Sequence, residues 1–211
     1  MLYYLVTQGG IMTQQMWQFL AWFAIALNVG GYVWQAVAIY IKKSGEAVSV
    51  AWFASSVGLE VVIVIYGKSQ EDAMFTKNAW VCIVGQVLVL AALRVYKPFG
   101  KREHLVIAAM LAVIAASIVL PFKNAVQMAA QAVNLYGGAD QPIQLKAGRD
   151  RGALEIWALV LSGLSSGVWT AYCWYHFGFL GPAVGYLMYD AYSCYMIREC
   201  YKKARSARSS S

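Results

Sequence analysis

The sequence predicts an all-α membrane protein in which seven transmembrane helices form two parallel three-helix bundles joined by a linker helix. Three observations predict this fold class. Of the 211 residues, 60% are hydrophobic and only 13% are charged. The basic residues collect in turns that would lie on one side of a membrane. Finally, one segment of the chain recurs 106 positions further on.

The composition indicates that lipid, rather than water, surrounds most of the chain, because a soluble domain carries about 25% charged residues. The formal net charge of +7 could also indicate nucleic-acid binding. The basic residues, however, sit in short turns between apolar segments, which is the pattern of cytoplasmic turns in membrane proteins. We therefore expect a lipid bilayer, and no nucleic acid, as a partner.

Seven segments are long and apolar enough to cross a bilayer, since a spanning helix needs about 20 mostly apolar residues. They are residues 17–41, 48–67, 79–96, 105–122, 125–145, 153–176 and 179–198. Each segment is continuously apolar rather than alternating, so helices are predicted rather than the strands of a β-barrel.

The basic residues predict the orientation of these helices. With the N-terminus outside, 14 of the 17 basic residues fall in inside turns or in the C-terminal tail. Only Lys68, Lys77 and Lys123 fall outside. This bias predicts an outside N-terminus and a cytoplasmic C-terminus. The cell membrane is favoured over an organellar membrane.

The internal repeat predicts how the helices are grouped. Residues 35–66 match residues 141–172 without gaps, and the identical pairs are Gln35/Gln141, Ala47/Ala153, Ser56/Ser162, Val62/Val168 and Tyr66/Tyr172. Segment 105–122 has no counterpart, and this extra crossing gives both copies the same direction. We predict a first bundle at 17–96, a linker helix at 105–122, a second bundle at 125–200 and a basic cytoplasmic tail at 201–211. Parallel repeats of this kind usually enclose a substrate path.

The order of short motifs resembles the PQ-loop/MtN3 superfamily, and the three-one-three helix order resembles its SWEET branch of facilitative sugar transporters. The motif residues are Gln35, Lys43-Ser44, Ser49, Tyr66-Gly67, Asn78, Gly85-Gln86, Gln141, Gly152 and the run 169–172. The resemblance implies transport of a small polar solute, sugar by default, through alternating access. The transport would be uniport or proton-coupled.

The resemblance also implies a solute site. Asn78 matches the family's first pocket Asn, and Trp169 matches an aromatic residue that could stack on the solute. Ile63 is the first-half partner of Trp169, and Ala183 falls near the place of the second Asn. Gln35 and Gln141 would support the bends that close an inner gate.

A gate or hinge is also expected beside Gln141. Asp140 and Pro142 flank this residue, and glycines at 137 and 138 precede it. Glycine and proline both weaken a helix. A solvated helix end near Lys146 would explain the same pattern.

Two carboxylates fall inside predicted spans. Glu60 lies one turn from Ile63 and therefore on the same helix face, and Asp190 lies in the last span. A charged residue at a bilayer's centre costs about 2.5–3.5 kcal/mol on insertion scales. Each carboxylate could contact substrate or carry a proton. Alternatively, Glu60 is neutral and bonded to a Ser or Tyr, and Asp190 is bonded to Tyr189 or Tyr192.

Asn28 and Asn134 occupy equivalent places in the two copies. Each could line the path or make an interhelical hydrogen bond, since buried amides need partners.

No motif indicates an enzyme, a cofactor or a metal site: the sequence has no nucleophile elbow, phosphate-binding loop or metal-ligand spacing. The remaining alternative is a receptor or structural membrane protein with the same fold and no transport. A midplane cavity lined by both bundles would favour transport, whereas a filled interior would favour the structural role. Homo-oligomer formation is left open.

Overall fold

The structure is a computed structural model that describes residues 14–139, 141–147, 154–178 and 182–209. These residues form helices and connecting turns and contain no strand. The helices are α1 (Gln14–Lys42), α2 (Val50–Ser69), α3 (Ala73–Tyr96), α4 (Lys101–Val119), α5 (Lys123–Gly138), α6 (Gln141–Ala147), α7 (Ile156–Phe177) and α8 (Val184–Ser209). The predicted all-α class is confirmed.

Five of the described helices, α1, α2, α3, α4 and α7, are long and apolar enough to cross a membrane. In α4, only 22% of the most apolar stretch is buried against the rest of the protein. Large apolar side chains elsewhere also face outward, among them Phe19, Ile41 and Trp157. Such extensive apolar exposure is rare in soluble monomers. The helices therefore have the character of a membrane protein.

The predicted single helix at 125–145 is wrong in one respect, because the chain forms two helices there. Helix α5 ends at Gly138 and α6 begins at Gln141. Pro142 is the second residue of α6, in the first turn, where a missing backbone N–H breaks no helical hydrogen bond.

Two further helix ends lie beyond their predicted positions. Helix α3 begins at Ala73 rather than at residue 79, because the Asp72 side chain caps it by accepting from the Phe75 N–H at 2.8 Å. Helix α8 continues through the basic tail to Ser209. In that tail, Lys203 Nζ donates to the Leu145 carbonyl of α6 at 2.7 Å.

Apart from α4, the helices are grouped in chain order as α1 to α3 and α5 to α8, and two long interfaces join these two groups. Helix α3 packs against α1 and α2, while α8 packs against α7 and touches α5 and α6. The interfaces between the groups are α1 with α7 and α2 with α5. Helix α4 packs against α2 and α5.

Glycines 106 residues apart set how closely the two groups approach. A Cβ added to Gly31 of α1 would lie 3.0 Å from Ser162 Oγ and 3.2 Å from the Ala158 carbonyl of α7. A Cβ added to Gly137 of α5 would lie 2.5 Å from Ser55 Oγ and 2.9 Å from the carbonyl of residue 51 in α2. Both interfaces therefore depend on a missing side chain.

Two apolar clusters lie at opposite ends of the protein. The Gln35-end cluster is formed mainly by Ile39, Val48, Val50, Trp52, Phe53, Val89, Leu93, Leu145, Leu154, Met196 and Cys200. The Tyr172-end cluster is formed mainly by Trp17, Ile25, Ile63, Val64, Tyr66, Phe75, Trp169, Tyr172, Cys173 and Ala183. Buried polar side chains are concentrated between the clusters, and they surround the candidate site.

Candidate functional site

A central cavity of about 60 Å³ lies between the two apolar clusters. This is room for a few water molecules, since one water needs about 10–15 Å³. Residues from α1, α2 and α3 line one part, and residues from α5, α7 and α8 line the other. The polar or aromatic lining residues are Asn28, Tyr32, Trp52, Ser56, Glu60, Gln86, Gln131, Asn134, Ser162, Ser166, Tyr186 and Tyr189.

Helical periodicity explains how these side chains reach the cavity. On α1 the lining residues are spaced by four, as are those on α7, and α2 presents Ser56, Glu60 and Ile63 at spacings of four and three. Residues three or four positions apart share a helix face. Each helix can therefore present a polar stripe inward and apolar side chains outward.

Among the described residues that line the cavity, Glu60 is the one whose side chain is a carboxylate, and none is Lys, Arg, His or Asp. Its side chain is only 7% exposed, and its Oε2 has no hydrogen-bond partner among the described residues. On the neighbouring wall, Gln86 Nε2 donates to the Tyr32 hydroxyl at 2.9 Å.

Asn28 and Asn134 line the cavity and also make hydrogen bonds between helices. Asn28 Nδ2 donates to Cys82 Sγ of α3 at 3.5 Å. Asn134 Oδ1 accepts from Ser55 Oγ and Ser56 Oγ of α2, each at 2.8 Å. The second contact joins the two helix groups beside the cavity.

Among the residues expected to bind solute, Glu60 and Ile63 line the cavity. Asn78 is buried and lies one contact away, since its Oδ1 accepts from Cys82 Sγ at 3.6 Å. Cys82 in turn accepts from Asn28. Asn78 is thus connected to the lining residue Asn28 through one intermediate side chain, Cys82.

Trp169 and Ala183 are buried in the Tyr172-end cluster rather than in the cavity lining. The Trp169 ring packs 5.1 Å from Tyr172, 5.8 Å from Phe75 and 6.4 Å from Tyr186, measured between ring centroids. These rings fill the space between the cavity and that end of the protein.

Asp190 also lies outside the cavity lining. It is half-buried, and its Oδ2 accepts from Thr170 Oγ1 at 3.2 Å. Its Oδ1 has no hydrogen-bond partner among the described residues. Asp190 therefore links α8 to α7 through Thr170.

The expected gate residues Gln35 and Gln141 both line a second cavity, of about 30 Å³, at the Gln35 end. Gln35 Oε1 accepts from the Glu155 N–H at 3.2 Å, and Gln141 Oε1 accepts from the Tyr192 hydroxyl at 3.4 Å. Pro142 is half-buried in the first turn of α6. Asp140 lies outside the described residues.

Four side chains lie between the two cavities, because Tyr32, Trp52, Ser162 and Tyr189 line both. The Trp52 ring stacks on Tyr192 with centroids 4.1 Å apart. This barrier was not predicted from the sequence, although the Ser162 position could be found from its match with Ser56 in the repeat.

A polar contact joins the two helix groups at the Tyr172 end. The Tyr172 hydroxyl of α7 donates to Asp72 Oδ2, the cap of α3, at 2.9 Å. The His176 ring stacks on Tyr172 with centroids 4.2 Å apart. Asp72 could have been identified from the sequence as a helix cap, but its partner in α7 could not.

Compared with known protein families, curated proteins and solved structures, the chain matches none of them. The relation to the PQ-loop/MtN3 superfamily stays a hypothesis from the quoted motifs.

Proposed function

We propose that this chain is an integral membrane transporter that carries a small polar solute by alternating access. The observation that carries the proposal is the central cavity, because three helices of each group line it. Solute sites between pseudo-symmetric halves are typical of transporters. A receptor or structural protein with a filled interior would not need this cavity.

The packing supports two parallel three-helix bundles joined by α4, as in the SWEET-like arrangement. In the first bundle, α3 packs against both α1 and α2, and in the second, α8 packs against α7 and touches α5. The interfaces α1–α7 and α5–α2 correspond to one another under the sequence repeat. Rocking of one bundle against the other would occur across these two interfaces.

Closure at both ends supports an occluded conformation. At the Gln35 end, Lys42 Nζ of α1 pairs with Glu155 Oε1 at 2.6 Å, and Lys97 Nζ donates to Gln144 Oε1 at 2.6 Å. At the Tyr172 end, Tyr172 bonds Asp72. In the proposed cycle, the contacts at one end break while those at the other persist.

The proposed orientation places the N-terminus outside and the Gln35 end at the cytoplasm, in accordance with the bias of basic turns. The proposed partners are a lipid bilayer and a solute; no enzymatic reaction and no cofactor is proposed. Sugar is the default solute of the resembling family, and the charge of the solute is argued separately below.

Uptake into liposomes containing the purified protein tests the proposal. The panel comprises neutral sugars, amino acids, small carboxylic acids and organic cations. We expect saturable uptake of at least one class above that of protein-free liposomes. If none of these classes shows saturable uptake, transport is rejected in favour of the receptor or structural role.

A matched pair of glycine variants tests whether the solute passes through the central cavity. Gly185→Val adds a side chain where a Cβ would overlap the amide of Gln131, which also lines the cavity, so we expect uptake to fall several-fold or more. Gly167→Val adds the same group where no atom lies within 4 Å, so uptake should stay near wild type. Equal uptake by both variants would place the path elsewhere.

A further inference from the structure

We propose that the solute is a small organic cation, and that its cationic group pairs with the Glu60 carboxylate in competition with a proton. This inference rests on the proposed transport function and names the substrate class of the central cavity.

The charge of the cavity lining is the first argument. Glu60 is the one carboxylate that lines it, its side chain is more than nine-tenths buried, and Oε2 has no hydrogen-bond partner among the described residues. A buried carboxylate is stable only when it is paired or neutralised. Because the described lining residues include no basic side chain, we expect the counter-charge to be a proton or a cation from outside.

Aromatic rings favour an organic cation over a bare metal ion. Tyr32, Trp52, Tyr186 and Tyr189 line the same cavity as Glu60. The face of an aromatic ring attracts a cation within about 6 Å, and quaternary ammonium groups are commonly bound this way. A carboxylate surrounded by such rings therefore suits an alkylammonium group. An anionic solute would meet Glu60 without any compensating base.

The groups that face Glu60 leave it as the site of proton exchange. They are Tyr32 of α1, Cys82 and the Gln86 amide of α3, and Tyr186 and Tyr189 of α8. None of these side chains carries a positive charge that could pair with Glu60. Lining residues of α5 and α7 contribute amides, serines and apolar groups, and α4 contributes no lining residue. When the cation binds, Glu60 releases its proton to the open side; when the cation leaves, Glu60 takes up a proton.

Thermal unfolding of the purified full chain tests this pairing. The probes are tetramethylammonium and choline chloride, compared with sodium chloride at equal ionic strength. Neither probe has an acidic ammonium proton, so any pH dependence belongs to the protein. We expect both probes to raise the unfolding temperature of the wild type, and their apparent affinity to fall as the pH is lowered from mildly alkaline to mildly acidic.

The matched variants are Glu60→Gln, which removes the charge at nearly constant volume, and Glu46→Gln, an exposed glutamate away from the cavity. We expect about ten- to hundredfold weaker binding for Glu60→Gln, which is the lower part of the range measured for close charge pairs across protein interfaces. Glu46→Gln should bind like the wild type.

Three outcomes would overturn the inference. They are equal binding by Glu60→Gln and the wild type, no shift of the wild type by either organic cation, and an equal shift with sodium chloride. The wild-type comparisons do not depend on the stability of any variant. If a neutral solute is carried in the liposome panel while both organic cations fail, transport stands and this inference is rejected.

Discussion

The Tyr172 hydroxyl makes a hydrogen bond between the two helix groups at the Tyr172 end. Tyr172 is conformationally fixed by packing against Trp17 and His176, while its hydroxyl reaches across to Asp72. Cys173 follows it and is buried in the same cluster, so the accessibility of this thiol reports whether the end is open.

We expect Tyr172→Phe to increase opening at this end, because it removes the bond to the Asp72 carboxylate and keeps the ring. Hydrogen bonds to charged groups contribute about 1.5–3 kcal/mol. Labelling of Cys173 by a membrane-impermeant maleimide, read by peptide mass spectrometry, should rise about tenfold or more. Tyr175→Phe on the same helix is the control. Unchanged Cys173 labelling in Tyr172→Phe would show that this bond does not hold the end closed.

Among individual residues, the sequence alone predicted some members of the cavity lining and not others, and the difference has a physical reason. Glu60 and Ile63 lie in the cavity lining because a buried carboxylate and its neighbour one turn away share a helix face. Trp169 and Ala183 instead pack among rings from α3 and α8, and such neighbours depend on tertiary contacts that spacing along one helix does not show.

At the scale of the helices, Gly31 limits how closely α1 and α7 can pack. The neighbouring Gly30 faces a looser environment, where an added Cβ would lie 3.6 Å from Leu161. Comparing the same substitution at these two adjacent glycines therefore separates the effect of close helix packing from the effect of glycine on helix stability.

We expect Gly31→Val to destabilise the protein by about 1–3 kcal/mol relative to Gly30→Val, because overpacking forces the two helices apart. The measurement is the thermal unfolding midpoint of each variant in the same detergent. Both substitutions replace glycine by valine in the same helix, so the change in helix propensity is the same and cancels when the two variants are compared. Equal midpoints would contradict the close approach of α1 and α7.

Helices were predicted well where a long apolar run has clear ends, as in α2 and α4. The break between α5 and α6 was missed because a glycine pair can either pack closely or end a helix. Here the first glycine packs against α2, and the helix also ends at the second. Helix α3 starts at Ala73, before the predicted span, because the Asp72 side chain caps it there.

At the scale of the whole molecule, the two ends should respond in opposite directions to the loss of their contacts. Glu155 joins the two helix groups at the Gln35 end through its ion pair with Lys42 and the hydrogen bond from its backbone N–H to Gln35. Cys200 is buried in the Gln35-end cluster, as Cys173 is in the other.

We expect Glu155→Gln to raise labelling of Cys200 and to lower that of Cys173. The increase should be no more than about fivefold, because partly exposed ion pairs contribute about 1 kcal/mol or less. Glu199→Gln is the matched control, since Glu199 pairs at 2.8 Å with Lys202 of its own helix. Parallel changes at both thiols would indicate general loosening rather than alternating access.

The single carboxylate of the central cavity also determines how the proposed carrier would respond to membrane voltage. Moving one elementary charge through 100 mV changes its energy by about 2.3 kcal/mol. If Glu60 carries a proton in one direction and a monovalent cation in the other, the loaded cavity is neutral on every crossing. Exchange would then be electrically silent, and a pH gradient alone could drive the cation uphill.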